Sequence, residues 1–241
     1  MEYVQPALQI DALGLHYREL NSQLRQAVDS GVSHFELHNV YGQRYLGTDL
    51  HRPVEIHIYG TPGNDLASFM DGPRIVVHGN AQDGCGNTMN GGEVVIHGRA
   101  GDATGHSMRG GKIFVRDDVG YRVAIHMKEY QAQRPAVVIG GTAQHFLGEY
   151  MAGGVLVVLG LTLGAGERHT ANFIGTGMHG GVMYIRGELD DYQLGKEVGS
   201  VALTEADRQL LHSLVDEFAA HFQYESAQIL DRPFTKLVPL S

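Results

Sequence analysis

Short apolar runs separated by glycine-rich connections recur along most of the chain. Seven such runs are visible: EIHIYG at 55–60, RIVVHG at 74–79, EVVIHG at 93–98, KIFVRD at 112–117, AVVIGG at 136–141, VLVVLG at 155–160 and VMYIRG at 182–187. Their length, their β-branched residues and their glycine borders predict short β-strands. Alternate positions of a strand share one face, and the expected inward pairs are all apolar. These pairs are Ile56/Ile58, Ile75/Val77, Val94/Ile96, Ile113/Val115, Val137/Ile139, Leu156/Val158 and Met183/Ile185.

The connections repeat with the strands. Met70, Met89, Met108 and Met127 are spaced by 19 residues, and the pattern resumes at Met151 and again at Met178, with an extra five and eight residues. A fixed period near 20 residues indicates a solenoid. We therefore predict an all-β solenoid, a parallel β-helix of about seven turns with a 19-residue repeat and helical caps. Glycine is expected at its corners because glycine adopts positive φ without strain, and the methionines are expected to fill its interior.

Both ends of the chain carry helical patterns that would cover the open edges of a solenoid. Residues 16–30 have apolar residues at helical spacing and stop at Gly31, and residues 204–222 begin at a Thr204 N-cap. A second short helix is expected at 225–230. The chain is predicted to be one domain, 1–241, with an N-terminal helical cap at 1–34, a β-helix at 35–190 and a C-terminal helical tail at 191–241.

The outward strand positions form a column that is unusually apolar for a surface. Its members are His57, Val76, Val95, Phe114, Val138, Val157 and Tyr184. A monomer rarely exposes an apolar stripe of this length. Two explanations remain open: the stripe lies under the terminal helices or the insertions, or it is a docking surface for another subunit. The candidate interface is Val76, Val95, Phe114, Val138, Val157 and Tyr184.

Composition narrows the class of partner. The net charge is -9, which disfavours nucleic acid and anionic lipid. The lone cysteine, Cys85, cannot form an internal disulfide and suits a reducing compartment. The N-terminus has no signal-peptide pattern and the longest apolar run is far too short to cross a bilayer, so a cytoplasmic protein is expected.

A search for catalytic chemistry finds no constellation. His78 and His97 fall in one outward column between Tyr59 and Arg116, while His106, His126, His145 and His179 fall in others, so no metal-ligand set forms. Asp83 and Asp102 align, but later repeats lack the acid that a calcium-binding repeat requires. Cys85 is expected to be a buried small residue. We predict no catalytic, cofactor-binding or metal-binding residue in this chain, although Lys128, Glu129 and Tyr130 of the first insertion are candidate contacts for a ligand or partner.

Long phrases of the chain resemble a known domain. GTPGNDLASFMDGP, VHGNAQDGCGNTMNGG, GHSMRGGKIFVRDDVGYRVAIHMKEY and FLGEYMAGGVLVVLG are similar to the C-terminal GXGXG β-helix domain of the glutamate synthase large chain, and the tail SAQILDRPFTKLVPL resembles the end of that polypeptide. The resemblance spans roughly residues 8 to 240 and implies a right-handed, single-stranded parallel β-helix. It also implies a stand-alone subunit of a split enzyme that converts glutamine and 2-oxoglutarate to glutamate.

In that family the glutaminase nucleophile is an N-terminal Cys, and FMN and an iron–sulfur cluster lie in a barrel domain. This chain begins Met-Glu-Tyr, so those parts are expected on partner subunits, a glutaminase-type amidotransferase and an FMN-barrel subunit, with no cofactor here. The expected role is a non-catalytic scaffold that is inactive alone. The alternatives are a GXGXG subunit of another complex, similar to the GXGXG subunit of formylmethanofuran dehydrogenase or of N-methylglutamate synthase, and, less favoured, a free-standing β-solenoid enzyme.

Overall fold

A computed structural model describes residues 6–240 of the chain. These residues form one eleven-stranded sheet that winds around an apolar interior. Its strands are β1 (Leu8–Asp11), β2 (His34–Tyr41), β3 (Glu55–Thr61), β4 (Arg74–His78), β5 (Glu93–Ile96), β6 (Lys112–Val115), β7 (Ala136–Ile139), β8 (Ala152–Val158), β9 (Gly180–Arg186), β10 (Val198–Val201) and β11 (Phe234–Pro239). The helices are α1 (Tyr17–Asp29), α2 (Glu205–Phe222) and α3 (Ser226–Leu230), with a 3₁₀ turn at Asp191–Gln193.

The parallel pairing confirms the predicted solenoid. Strands β1 to β9 stack in chain order, each parallel to the next. Arg74 pairs with Glu93 and Glu93 with Lys112, which is the 19-residue period. The two predicted insertions lengthen the steps from β6 to β7 and from β8 to β9 without shifting the pairing of the apolar residues. The seven predicted strands are β3 to β9, and they delimit about six complete turns rather than seven.

The interior is the dry core that the strand pattern predicts. Every predicted inward pair lies in one buried cluster, and so do the six repeating methionines, each at most 2% exposed. Each methionine follows a corner, where its unbranched side chain fills the space left between stacked strands. Because each coil buries its apolar face only against its neighbours, the core is continuous along the solenoid axis.

The two ends are closed by different means. At the first end, α1 packs Leu20, Leu24 and Val28 onto the core, and its boundaries agree with the predicted helix at 16–30. At the other end, β11 pairs antiparallel with β9, and β10 pairs antiparallel with β11. The repeat pattern does not predict these two strands, which protect the last edge of the parallel sheet. Across the described residues, no helix is both long enough and apolar enough to span a bilayer.

The predicted docking column is not a free surface, and that hypothesis is wrong for the folded chain. Val76, Val95, Phe114, Val138, Val157 and Tyr184 are each at most 4% exposed. They form a second buried cluster with Leu211, Leu214, Val215 and Phe218 of α2 and Ile229 of α3. The physical reason is that the C-terminal tail carries its own apolar stripe at helical spacing, so α2 covers the column, as the alternative of self-coverage anticipates.

Polar contacts hold α2 on the sheet. Lys112 donates to Glu217 at 2.7 Å, and His221 approaches Glu93 at 3.4 Å. At the beginning of the helix, buried Asp207 accepts from the Tyr184 hydroxyl at 2.6 Å and from the Lys236 ammonium at 2.7 Å. These bonds join α2, which covers the outward column, to β9 and to the antiparallel cap formed by β10 and β11. The covering helix and the cap are therefore one packed unit.

Candidate interaction surface

One corner of the solenoid is built from left-handed backbone in every coil. At this corner, three positions of each repeat have φ between +52° and +75°. The first column holds Tyr45, Asp65, Gly84, Ala103, Arg122, Phe146 and Phe173; the second holds Gly47, Ala67, Gly86, Gly105, Ala124, Gly148 and Gly175; the third holds Asp49, Phe69, Thr88, Ser107, His126, Tyr150 and Gly177. Glycine alone adopts these angles without strain, yet most of the positions carry a side chain.

The outward positions of the last coils carry aromatic side chains at this corner. Phe146 and Phe173 stack with ring centroids 4.9 Å apart, and Tyr150 lies in the third column. We call Phe146, Tyr150 and Phe173 the aromatic corner. Phe173 is 53% exposed and Tyr150 is 46% exposed.

The same positions in earlier coils show that this fold does not require aromatic residues there. The first column accepts Gly84 and Ala103, and the third accepts Thr88 and Ser107, with the same backbone angles. An aromatic residue at positive φ is strained relative to glycine, and its exposed ring gains little from burial. Tyr45 and Phe69 also occupy these columns, so the corner accepts several residue types, and the aromatic corner is a candidate contact surface.

Side chains of neighbouring coils contact the rings of the aromatic corner. The Arg122 guanidinium lies 5.1 Å from the centroid of the Phe146 ring and also pairs with Glu149 at 3.0 Å. His126 stacks on Tyr150 at 5.3 Å, and His106 lies 6.1 Å from His126. The sequence placed His106 and His126 in different columns, but the structure brings them together because the corner offsets them by only one residue.

A ladder of stacked rings covers the outer face of the first coils. His38, Tyr59, His78 and His97 stack with centroid separations of 4.7, 4.5 and 5.5 Å, which confirms the predicted column. His57 bonds to His78 at 2.9 Å and to Glu55 at 3.2 Å. Burial, with the charge of His57 adding to it, lowers the pKa of His78. The stacked rings therefore form a packing arrangement along the outer face of these coils.

The lone cysteine, Cys85, makes a local structural contact. Cys85 is buried and donates to the Gln82 carbonyl at 3.3 Å, the same bond that Thr104 makes to Gly101 one coil later. Burial, with Asp83 and Asp65 adding to it, raises the pKa of the Cys85 thiol to about 12, so it is a poor nucleophile at neutral pH.

In the first insertion, Glu129 accepts from the Gly154 amide at 3.2 Å and pairs with Arg134 at 3.1 Å. Tyr130 of the same loop is 52% exposed. Within residues 6–240 no three histidine, cysteine or acidic side chains are placed to hold a metal ion. The expectation that the chain carries no catalytic or cofactor residue stays a prediction.

Comparison with known proteins decides the family. The model of the family described as the GXGXG motif matches residues 28–240. The chain belongs to the GXGXG motif family. An uncharacterised protein of Methanocaldococcus jannaschii is 46% identical over 240 residues, covering 96% of this chain and 92% of the relative.

A solved structure shows a similar architecture. It is a chain in the X-ray structure of the formyltransferase/hydrolase complex of Methylorubrum extorquens with methylofuran. The TM-score is 0.60 at 15% identity, and the alignment covers 97% of this chain and 92% of that chain. At this identity, the likeness shows a shared solenoid fold and leaves the chemistry of this chain to be argued from its own residues.

Sequence reasoning missed the aromatic corner for a definable reason. Phe146, Tyr150 and Phe173 lie outside the apolar strand runs, and both insertions interrupt the spacing beside them. An alignment of the repeats without the two insertions places these three residues at equivalent corner positions and would reveal them.

Proposed function

We propose that this GXGXG chain is a structural subunit of a split glutamate synthase-type complex. In this proposal it docks a glutaminase-type amidotransferase subunit and an FMN-barrel subunit, which together convert glutamine and 2-oxoglutarate to glutamate. The long phrases at 60–73, 77–92, 105–130 and 146–160, which resemble the glutamate synthase domain, support the choice of this complex. Its place of action would be the cytoplasm.

The aromatic corner is the observation that carries a docking role. Tyr150 and Phe173 are exposed, Phe146 is half-buried, and all three are held in a backbone conformation that favours glycine. Aromatic side chains with fixed positions are typical anchors of protein interfaces, because they bury large area at little cost in conformational entropy. The corner lies away from the face that α2 covers, so it stays accessible in the folded chain.

The chemistry of the proposed reaction would lie on the partners. The only cysteine has a raised thiol pKa and no accessible surface. His57, His78 and His97 stack on neighbouring rings or form hydrogen bonds to neighbouring side chains. FMN, the iron–sulfur cluster and the glutaminase nucleophile are accordingly assigned to the partner subunits, and the isolated chain is expected to be inactive.

A second candidate is a subunit of a complex that handles formyl groups. The likeness in fold to a chain of the formyltransferase/hydrolase complex, over nearly the whole of both chains, favours it. The two candidates share the scaffold role and differ in the partners. Identification of those partners therefore separates them.

The test is purification of a tagged chain from its native host at physiological salt, followed by identification of stoichiometric partners. The proposal expects a glutaminase-type and an FMN-barrel subunit, with glutamine-dependent formation of glutamate by the purified complex. Recovery of formyltransferase or hydrolase subunits would establish the second candidate. If the tagged chain purifies without any partner from extracts in which the complex is active, both candidate functions are contradicted.

A further inference from the structure

A cluster of arginines at the first end of the solenoid has no acidic partners among the described residues. The arginines of the sheet and its cover form ion pairs, such as Arg74 with Glu93 at 2.8 Å and Arg116 with Asp117 at 2.8 Å. Among residues 6–240, by contrast, no carboxylate pairs with Arg18, Arg25 or Arg44. In a chain of net charge -9, three neighbouring cations with no carboxylate partner among residues 6–240 form a locally positive patch.

Arg18 and Arg25 line one groove between α1 and the first corner, and Arg44 lies beside it against the Tyr17 ring. The groove has a volume of about 460 Å³ and is lined by Tyr17, Arg18, Asn21, Ser22, Arg25, Tyr45 and Thr48. None of these side chains is acidic. The guanidinium carbons of Arg18 and Arg44 lie 5.7 and 5.5 Å from the centroid of the Tyr17 ring, so two positive charges share one aromatic ring.

Hydrogen bonds fix the walls of the groove. The Asn21 amide donates to the Tyr17 carbonyl at 2.7 Å and to the Arg44 carbonyl at 2.9 Å, which ties α1 to the corner. Arg25 donates to the Thr48 carbonyl at 3.1 Å. These bonds connect the two walls of the groove, and the positive charges of Arg18 and Arg25 along it favour an anionic occupant.

We propose that this groove binds an acidic extended segment of a partner protein. Arg18 and Arg25 are seven residues apart on α1, about 10.5 Å along the helix axis. A peptide in the extended polyproline II conformation has three residues per turn, so side chains three residues apart lie on one face at about 9.3 Å. Two carboxylates with that spacing match the two guanidiniums, with the tyrosine rings packed beneath the peptide. The net charge of -9 disfavours nucleic acid as the occupant, because the rest of the surface repels phosphate backbones.

The inference rests on the proposed function only in requiring that partner subunits exist. The groove lies at the α1 end, whereas the aromatic corner lies on the last coils. The two surfaces can therefore fail independently when they are mutated.

Photo-crosslinking in the native host tests the proposal. A benzophenone amino acid replaces Ser22, and mass spectrometry identifies the crosslinked peptide. The expected product is a partner segment with acidic residues three apart. The double variant Arg18→Glu/Arg25→Glu is expected to lose this crosslink and to weaken partner binding about tenfold, more at low salt than at high salt. The matched control Arg168→Glu/Arg208→Glu, which makes the same charge change at exposed sites elsewhere, is expected to bind normally.

Charge reversal on the partner completes the test. Exchange of the two acidic residues of the crosslinked segment for arginine is expected to restore binding to Arg18→Glu/Arg25→Glu. Crosslinks to nucleic acid, to a second copy, or to residues 1–5 of this chain would overturn the proposal. Crosslinking unaffected by the double reversal, or no crosslink in a complex that purifies intact, would also overturn it. Recovery of no complex at all contradicts the proposed function instead.

Discussion

Gly120→Ala is expected to destabilise the solenoid because Gly120 leaves room for a carboxylate of the preceding coil. Asp102 Oδ1 accepts from the Tyr121 amide at 2.8 Å, just beneath Gly120. A Cβ on Gly120 would overlap this oxygen and would lie 2.8 Å from the Asp102 amide nitrogen and 2.9 Å from the Gly101 carbonyl carbon. The side chain cannot move without losing its hydrogen bond, and the backbone cannot move without disturbing the coil.

The magnitude follows from three contributions. Loss of a hydrogen bond to a charged acceptor costs about 1.5–3 kcal/mol, with the lower end expected at this exposed site. Overpacking against backbone costs about 1–3 kcal/mol. Alanine also lowers the conformational entropy of the unfolded chain, which stabilises the folded state by about 0.4–1 kcal/mol and offsets part of this cost. We therefore expect Gly120→Ala to lower the free energy of unfolding by about 1.5–4 kcal/mol.

Gly91→Ala is the matched control. A Cβ on Gly91 would overlap only Asp71 Oδ1, and its next neighbours lie at 3.5 Å or beyond. Asp71 is exposed and free to rotate away, so this variant is expected to stay within about 0.5 kcal/mol of the parent chain. Urea unfolding followed by circular dichroism measures the stability of both variants. The comparison requires that the free energy of unfolding depends equally steeply on urea concentration in the two. Equal destabilisation by the two variants, or none by Gly120→Ala, would refute the reasoning.

Three further predictions follow from the corner, the thiol and the helical cover. Ala103→Gly, at φ +54°, is expected to raise the free energy of unfolding by up to about 1 kcal/mol, whereas Ala100→Gly in a bridge position lowers it; urea titration decides. Cys85 is expected to resist iodoacetamide at pH 8 in the native chain and to react fully in denaturant; rapid native labelling would contradict its burial. Burial raises the pKa of Asp207, but bonds from Lys236, Thr204 and Tyr184 outweigh it and hold that pKa well below its ordinary value. The resulting stability is present above about pH 4 and is lost as pH falls below it. Asp207→Asn is therefore expected to lower the urea midpoint at pH 7 and to make that midpoint depend less on pH below about pH 4.

The repeat made the solenoid predictable. An unbroken 19-residue period aligns Ile75, Val94 and Ile113, and this alignment alone indicates parallel stacking and the inward face. Contacts made outside the repeat have a weaker signal in the sequence, because the apolar stripe of α2 does not specify which surface it covers. The cover of α2 over Phe114 joins segments about 100 residues apart, and only the tertiary structure places them together.

The candidate surfaces were harder to predict for physical reasons. The left-handed corner accepts residues as different as Asp65, Gly84 and Phe146, so no residue type marks it. The groove combines Arg18 and Arg25 of a helix with Tyr45 of a corner, which share no motif. Both depend on where the backbone places unrelated side chains.

The central claim is that the rings of the aromatic corner serve binding and not folding. The most direct measurement pairs the free energy of unfolding with the affinity for the partner protein recovered by purification, for the double variant Phe146→Gly/Phe173→Gly. Glycine relieves the strain at φ +64° and +59°, so the account predicts stability equal to or above that of the parent chain, with affinity reduced at least about tenfold. Lower stability with unchanged affinity would contradict it.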